Sequence, residues 1–280
     1  RKVVRRDDEV GDSRQLICHQ YNIGVDALIV QDMALLQMEL PPIALHASTQ
    51  MDNRTTDKVS FLADVGFSQV VLARELSLDE ISTIHTACPA VPLEAFCHGA
   101  LCVSYSGQCY ASEVCFGRSA NRGECAQFCR LAFDMTDADG QVIQKGKHLL
   151  SLKDMNRSDR LEAMLDAGIS SLKIEGRLKD VAYVKNVTAY YRKQLDKIFA
   201  RRPEYARASS GRSTYTFTPQ LDKSFNRGFT HYFLEGRGED IYSPYTPKSI
   251  GEAVGVVKNT GDTYITVAGI HSFHNGDGIC

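Results

Sequence analysis

The sequence predicts an α/β protein: a (β/α) TIM-like barrel, N-terminally truncated, followed by the start of a small C-terminal β domain. Three observations predict it. Short, nearly unbroken apolar runs alternate with helical stretches. Each run closes in polar, chemically capable residues. Beyond Pro247 the texture changes to β-branched residues separated by turn pairs.

Residues Asp7–Tyr21 read as an opening helix. "VDALIVQD" (Val25–Asp32), "PIALHAST" (Pro42–Thr49), "FSQVVLARE" (Phe67–Glu75) and "PLEAFCHGA" (Pro92–Ala100) read as strands buried on both faces of a parallel sheet. Helices are expected over Asp52–Val65 and Ser77–Thr86. Gly24, Gly66 and Gly168 each follow a helical stretch and precede an apolar run, the place where a left-handed residue ends a helix. The last of them introduces a strand at Ile169–Glu175, and a long helix is expected from about Asp180 to Ala200.

A barrel gathers all its strand C-termini around one mouth, where its active site sits. Here the strand ends carry Asp32; His46, Ser48, Thr49 and Gln50; Arg74 and Glu75; His98; and Lys173, Glu175 and Arg177. No Gly-rich phosphate fingerprint follows any strand, which argues against a dinucleotide-binding fold. The expected organisation is a partial barrel over 1–205 with a cysteine-rich insertion at 97–130, a connecting segment over 206–246, and the opening of the β domain over 247–280. Turn pairs at Thr260-Gly261 and Asn275-Gly276 punctuate that last piece. The chain begins in a helix at Arg1 and stops within a pattern at "NGDGIC", so it is expected to be part of a longer protein.

The 280 residues carry a net charge of −2, so any nucleic-acid binding must rest on a local basic patch. No apolar run approaches the roughly 18 residues that a membrane span needs, and no leader opens the chain. A cytoplasmic protein with no membrane partner is the expectation.

Six of the nine cysteines fall between Cys97 and Arg130. Cys102, Cys109, Cys125 and Cys129 form C-x6-C-x15-C-x3-C, with Gly107, Gly117, Gly123, Ser104, Ser106, Ser119 and Asn121 between them. That is loop chemistry, and it lets four thiolates converge just after a strand end. Four thiolates suit zinc or an iron–sulfur cluster. Zinc knuckles come as paired short spacings, and only the second pair here has that form, so a cluster suits better. Disulfides need an oxidising compartment that nothing indicates. A lone nucleophilic cysteine with His98 as base would leave the other thiols unexplained. Cys18, Cys88 and Cys115 read as small apolar fillers, and either Cys97 or His98 should face the core.

Around these thiols, Arg74, Lys173 and Arg177 are suited to hold a dicarboxylate or a phosphate. Glu75 and Glu175 are candidate proton-transfer groups, and His46 and His98 candidate acid–base residues or substrate donors. The plainer alternatives are ion pairs Arg74–Glu75 and Glu175–Arg177, and histidines that are simply hydrogen-bonded. Arg118, Arg122 and Arg130 lie in the cysteine loop, where RNA would approach. Lys179, Lys185, Arg192, Lys193, Lys197, Arg201 and Arg202 give the long helix a basic surface, which is more often a solvated face than an RNA groove. Tyr183, Tyr190 and Tyr191 read as packing residues. Neither H-E-x-x-H nor G-x-S-x-G occurs, so zinc-peptidase and serine-hydrolase machinery is not visible.

"EAFCHGALCVSYSGQCYAS" (Glu94–Ser112) closely resembles the signature of the collagenase-like peptidases of unassigned mechanism, family 32 of the U class. "NRGECAQFCR", "SLKIEGRLK", "SFNRGFT" and "TPKSIGE" resemble further family landmarks in their usual order, over most of the chain. The resemblance implies a barrel followed by a small β-barrel module. It implies two kinds of activity. Some members are named proteases or collagenases, acting on peptide or collagen. Others hydroxylate a tRNA wobble uridine, a 23S rRNA cytidine or quinone precursors without O2, with a [4Fe–4S] cluster and prephenate as oxygen source. By motif, Cys102, Cys109 and Cys125 match the family's cluster cysteines. Cys129 is the natural fourth, since no cysteine occurs between it and Cys280. A third possibility is a non-catalytic metal module that binds RNA.

Overall fold

The computed structural model describes residues 8–238, 240–270, 272–273 and 275. Helix α1 (Asp8–Asn22) leads into β1 (Ala27–Val30), β2 (Ala44–Ala47), α2 (Thr56–Asp64), β3 (Gln69–Val71), α3 (Leu78–Ala87) and β4 (Leu93–Ala100). A long excursion follows, holding α4 (Ala111–Phe116) and a hairpin of β5 (Phe133–Thr136) with β6 (Val142–Lys147). The chain then returns as β7 (Asp154–Asn156), α5 (Leu161–Asp166), β8 (Ile169–Ile174), α6 (Val181–Arg201) and β9 (Phe229–Thr230). A second hairpin pairs β10 (Val256–Thr260) with β11 (Ile265–Ala268).

Local chemistry sets the helix starts. The Thr55 hydroxyl accepts from Lys58 N, Ser77 and Glu80 form a reciprocal capping box, and Asp180 accepts from Tyr183 N. Gly24, Gly66 and Gly168 have φ of 82°, 104° and 98°, the left-handed endings that the sequence indicated.

The main sheet is dominated by parallel pairing, in the order β1-β2-β3-β4 with β8 on the far edge of β4. On its other edge β4 carries two strands end to end. Its first residues pair β3, and His98–Ala100 pair antiparallel with β7, which pairs β9 in turn. The segment 206–246, expected as a connector, thus places a strand in the sheet and Leu221 and Leu234 in the core. Among the described residues β1 pairs only β2 and β8 only β4, so these strands form an open sheet with no closed ring.

The two faces differ, although β3 and β4 are buried on both near their C-terminal ends, where Val71 and Phe96 join Leu101, Met155 and Tyr232 in a second apolar cluster. One face packs Val30, Ala47, Val70, Leu93, Ala95 and Ile169 against Ile17, Leu62, Ile81, Met164 and Val187 of the helices. The opposite face carries a half-buried polar set. Glu94 bonds Gln69 Nε2 (2.8 Å), Ser171 Oγ (2.8 Å) and Lys173 Nζ (2.7 Å), with His46 close enough to feel both charges. Period-two alternation was hidden because strands of three or four residues show too few repeats to reveal it.

Candidate functional site at the strand C-terminal ends

The cysteine loop is fastened over the C-terminal ends of β2, β3 and β4. Ser106, at its middle, donates to Glu75 through its backbone N–H (2.6 Å) and its hydroxyl (3.1 Å). Thr49 Oγ1 lies 3.4 Å from the same hydroxyl and donates to Leu72 O (3.0 Å). Next to it Gly107, at φ 79°, lies so close to strand-end backbone that a Cβ would sit 2.0 Å from Gln50 O. Only glycine fits there. Gln108 Nε2 reaches Asp52 (3.2 Å), and Arg122 bridges to Glu9 of α1 (2.6 Å). At the far side of the loop Arg130 donates to Leu101 O (2.7 Å), Leu152 O (2.7 Å) and Ser151 Oγ (2.9 Å).

Eight cysteines lie among the described residues and none is in a disulfide. Cys102 and Cys125 are exposed, yet desolvation by the surrounding loop still raises the Cys102 thiol, opposed by the Ser104 backbone N–H and by Arg74, while Cys109 and Cys125 push it up again. Burial also raises Cys129, opposed by Arg130 and reinforced by Cys102, Cys125 and Cys109. Four thiols thus share one electrostatic neighbourhood, and as thiolates they would repel one another. Among the described residues, no three His, Cys, Asp or Glu side chains are gathered tightly enough to hold a single ion. Cys115, expected as an apolar filler, is instead exposed on the short helix α4. Cys88 is buried as expected.

The candidate catalytic residues divide. The guanidinium carbon of Arg74 sits 3.8 Å from the Phe96 ring centroid, with Nη2 3.8 Å from Glu175 and no hydrogen-bond partner for Nε among the described residues. Burial lowers its pKa, opposed by Glu175 and Cys102. The ion pair at this end is therefore Arg74–Glu175; neither Arg74–Glu75 nor Glu175–Arg177 forms among the described residues. Glu75 is an anchor for the loop, both its oxygens being taken by Ser106. Arg177 is exposed beyond β8. His46 sits on the polar face, its pKa lowered by burial, raised by Glu94 and lowered by Lys173.

His98 and Cys97 are both buried, although strand alternation suggested that one would be. The register shift between Phe96 and His98 against β8 turns both inward. The His98 ring lies among Tyr183, Tyr191 and Phe229, with Nδ1 3.3 Å from the Tyr191 hydroxyl. Burial lowers its pKa to about 4. Among the described residues no cysteine sulfur is hydrogen-bonded to a histidine ring, so no thiol–imidazole pair is assembled.

Two features escaped the sequence reading. Arg157, 1% exposed, gives its guanidinium to the carbonyls of Phe96 (3.1 Å), Arg74 (3.2 Å) and His231 (3.0 Å), and burial lowers its pKa to about 10. Asp154 and Arg227 form a buried bidentate pair (2.7 and 3.0 Å) that joins β7 to the start of β9. The "SFNRGFT" stretch was the available signal for Arg227. Arg157 had none, because "DMNRSD" reads as an ordinary turn.

A parallel-dominated sheet with a thiol-bearing loop clamped across its strand C-termini defines an α/β protein with its cysteines gathered at one end. The chain belongs to peptidase family U32, whose profile matches residues 2–243. It is 52% identical over 276 residues to the Escherichia coli protein named 23S rRNA 5-hydroxycytidine C2501 synthase, covering 99% of this chain and 42% of that one. It is 32% identical to Bacillus subtilis tRNA hydroxylation protein P1, over 91% of this chain and 62% of that one. It is also 32% identical to a Porphyromonas gingivalis protein named Collagenase, over 82% of this chain and 57% of that one. The chain thus spans about half the length of these curated relatives. No solved structure matches it. No helix of the described residues is long and apolar enough to cross a membrane.

Proposed function

We propose that this chain is the thiol-bearing part of a cytoplasmic enzyme that hydroxylates an RNA base without O2, with a [4Fe–4S] cluster on Cys102, Cys109, Cys125 and Cys129. The observation that carries this reading is the shared electrostatic neighbourhood of the four thiols over the strand ends. Zinc is the alternative occupant of the same four thiols. A cluster bound there would supply electron transfer at the end of the sheet.

The chain's own residues supply the rest. Glu75, Ser106 and Gly107 hold the loop in place. The guanidinium of Arg74, with Nε unbonded beside Cys102, is suited to hold an anionic co-substrate such as the dicarboxylate prephenate. Glu175, 3.8 Å from Arg74, is the proton-transfer candidate nearest that anion. The relative of 52% identity is named for a 23S rRNA cytidine, which puts that base ahead of a tRNA uridine. The open sheet, helical on one face and polar on the other, is read as a sector of a barrel completed elsewhere in the longer protein, with β10 and β11 opening a separate β domain. Peptide hydrolysis has a relative's name in its favour, but His98, the base that the sequence offered, is sequestered among aromatic rings.

The test is anaerobic purification of the full-length protein with iron, sulfide and zinc analysis, then nucleoside mass spectrometry of RNA from a deletion strain. About four irons and four sulfides are expected, with hydroxylation restored by the wild-type gene and not by Cys102→Ala. A colourless protein holding one zinc or no metal would sink the cluster. Intact RNA modification in the deletion strain would sink the hydroxylase.

A further inference from the structure

At the same end of the molecule, away from the thiols, a cleft of about 790 Å³ opens between the first turns of α6 and the segment 217–225. Its volume lies within the range of ligand-binding pockets. Three lysines line it, Lys179, Lys185 and Lys223, together with three rings, Tyr183, Phe217 and Phe225. The one carboxylate in the lining, Asp180, is turned to cap α6 by accepting from Tyr183 N (2.7 Å). Among the described residues Lys179 and Lys185 make no ion pair, and Lys223 has only a long one to Glu252 (3.8 Å). For a chain of net charge −2 this is a concentrated basic spot.

The cleft is preformed. Asn186 of α6 donates to Gln220 O and Ser224 Oγ, both at 2.6 Å, and accepts from Gln220 N (2.9 Å), so the two walls are tied together. Tyr183 is buried in the floor. Lys179 stands 3.0 Å from the centroid of Phe225, which fixes ring and ammonium together, and Phe217 is 41% exposed at the rim. Rigid rings beside ammonium groups with no close carboxylate are what single-stranded nucleic acid uses: bases stack on rings, and the backbone follows the charge.

The cleft lies at the strand ends that also carry the cysteine loop, because β8 runs parallel to β4. The residues after β8 run straight into it. Lys179 lies within electrostatic reach of the buried Asp154–Arg227 pair and of Arg130, whose guanidinium is taken by Leu101 O, Leu152 O and Ser151 Oγ, so the two sites are linked by position along the strand ends and not by a continuous basic surface. We propose that this cleft holds single-stranded RNA nucleotides flanking the base that is modified at the cysteine loop, binding them by stacking on Phe217 and by phosphate contacts to Lys185 and Lys223. The inference rests on the RNA-hydroxylase reading and adds where the strand lies.

The experiment is fluorescence anisotropy of a labelled single-stranded oligoribonucleotide with the full-length protein, over a series of salt concentrations. The proteins compared are wild type, Lys185→Gln/Lys223→Gln and Phe217→Ala. All three positions are exposed, so the fold is expected to survive, and circular dichroism checks it. The lysine pair should weaken binding about tenfold or more at low salt and flatten the salt dependence by about one to two in log–log slope. Phe217→Ala should weaken binding about fivefold or more and leave the slope unchanged, since stacking releases no counterions. If wild type binds RNA while both variants keep its affinity and slope, the cleft is overturned and the hydroxylase reading stands. If wild type has no affinity for RNA, both readings fall.

Discussion

Glu75 receives both hydrogen bonds that Ser106 can donate, at 2.6 and 3.1 Å, and so ties the end of β3 to the middle of the cysteine loop. A charge-assisted bond of this kind contributes about 1.5–3 kcal/mol. Glu75→Gln keeps an acceptor for the Ser106 N–H, so it should retain most of the bound metal and activity. Glu75→Ala should lose both and speed proteolysis between Cys102 and Cys109. Metal analysis and limited proteolysis of the two variants check this. Equal loss in both would show that the carboxylate itself does chemistry.

Gly107→Ala should separate loop from fold. The new Cβ would meet Gln50 O at 2.0 Å and demand a left-handed backbone, so the loop must lift. The core beneath is untouched. On the proposed cluster reading, iron content should fall sharply while the thermal midpoint of the metal-free protein moves by only a few degrees.

His98 should make stability depend on pH in an acidic window. Its folded pKa of about 4 lies below the ordinary 6.5, so the unfolded chain binds the extra proton first. Its contribution is complete above about pH 6.5 and is lost as pH falls towards 4, on the order of 3 kcal/mol in all. The ring faces Tyr183, Tyr191 and Phe229, and Asp154 opposes the shift only in part. Urea unfolding of wild type and His98→Gln at several pH values reads this out. The variant should show a shallower slope between pH 4 and 6.5.

The Asp154–Arg227 pair should behave as a unit. Arg227→Met leaves a carboxylate buried without its partner and should cost about 3–5 kcal/mol. Adding Asp154→Leu should recover part of that loss. A double-mutant cycle by chemical denaturation measures the coupling, and strictly additive costs would show the two residues to be independent.

The parts of the fold carried by local pattern were legible. Helix and strand positions, the glycine endings and the start of α6 follow from caps and periodicity. What was hidden depends on pairing across long separations. Strands β7 and β9 have three and two residues and no readable period, yet they complete the sheet. The same holds at the site. The four cysteines announce themselves by spacing, whereas the partner of Arg74 turned out to be Glu175, far away in sequence, and not its neighbour Glu75. His98 looked like a base at a strand end until a register shift folded it inward.

The pairing of Ala100 with Asp154 brings both ends of the excursion 101–153 side by side in the sheet. Its base is therefore closed by the sheet whatever its interior does, and lengthening such a loop twofold costs only about 0.6 kcal/mol in closure entropy. The thiol-bearing segment behaves as a cassette. Its length can therefore change at little entropic cost to the register of the strands below, provided that the Glu75–Ser106 anchor is kept.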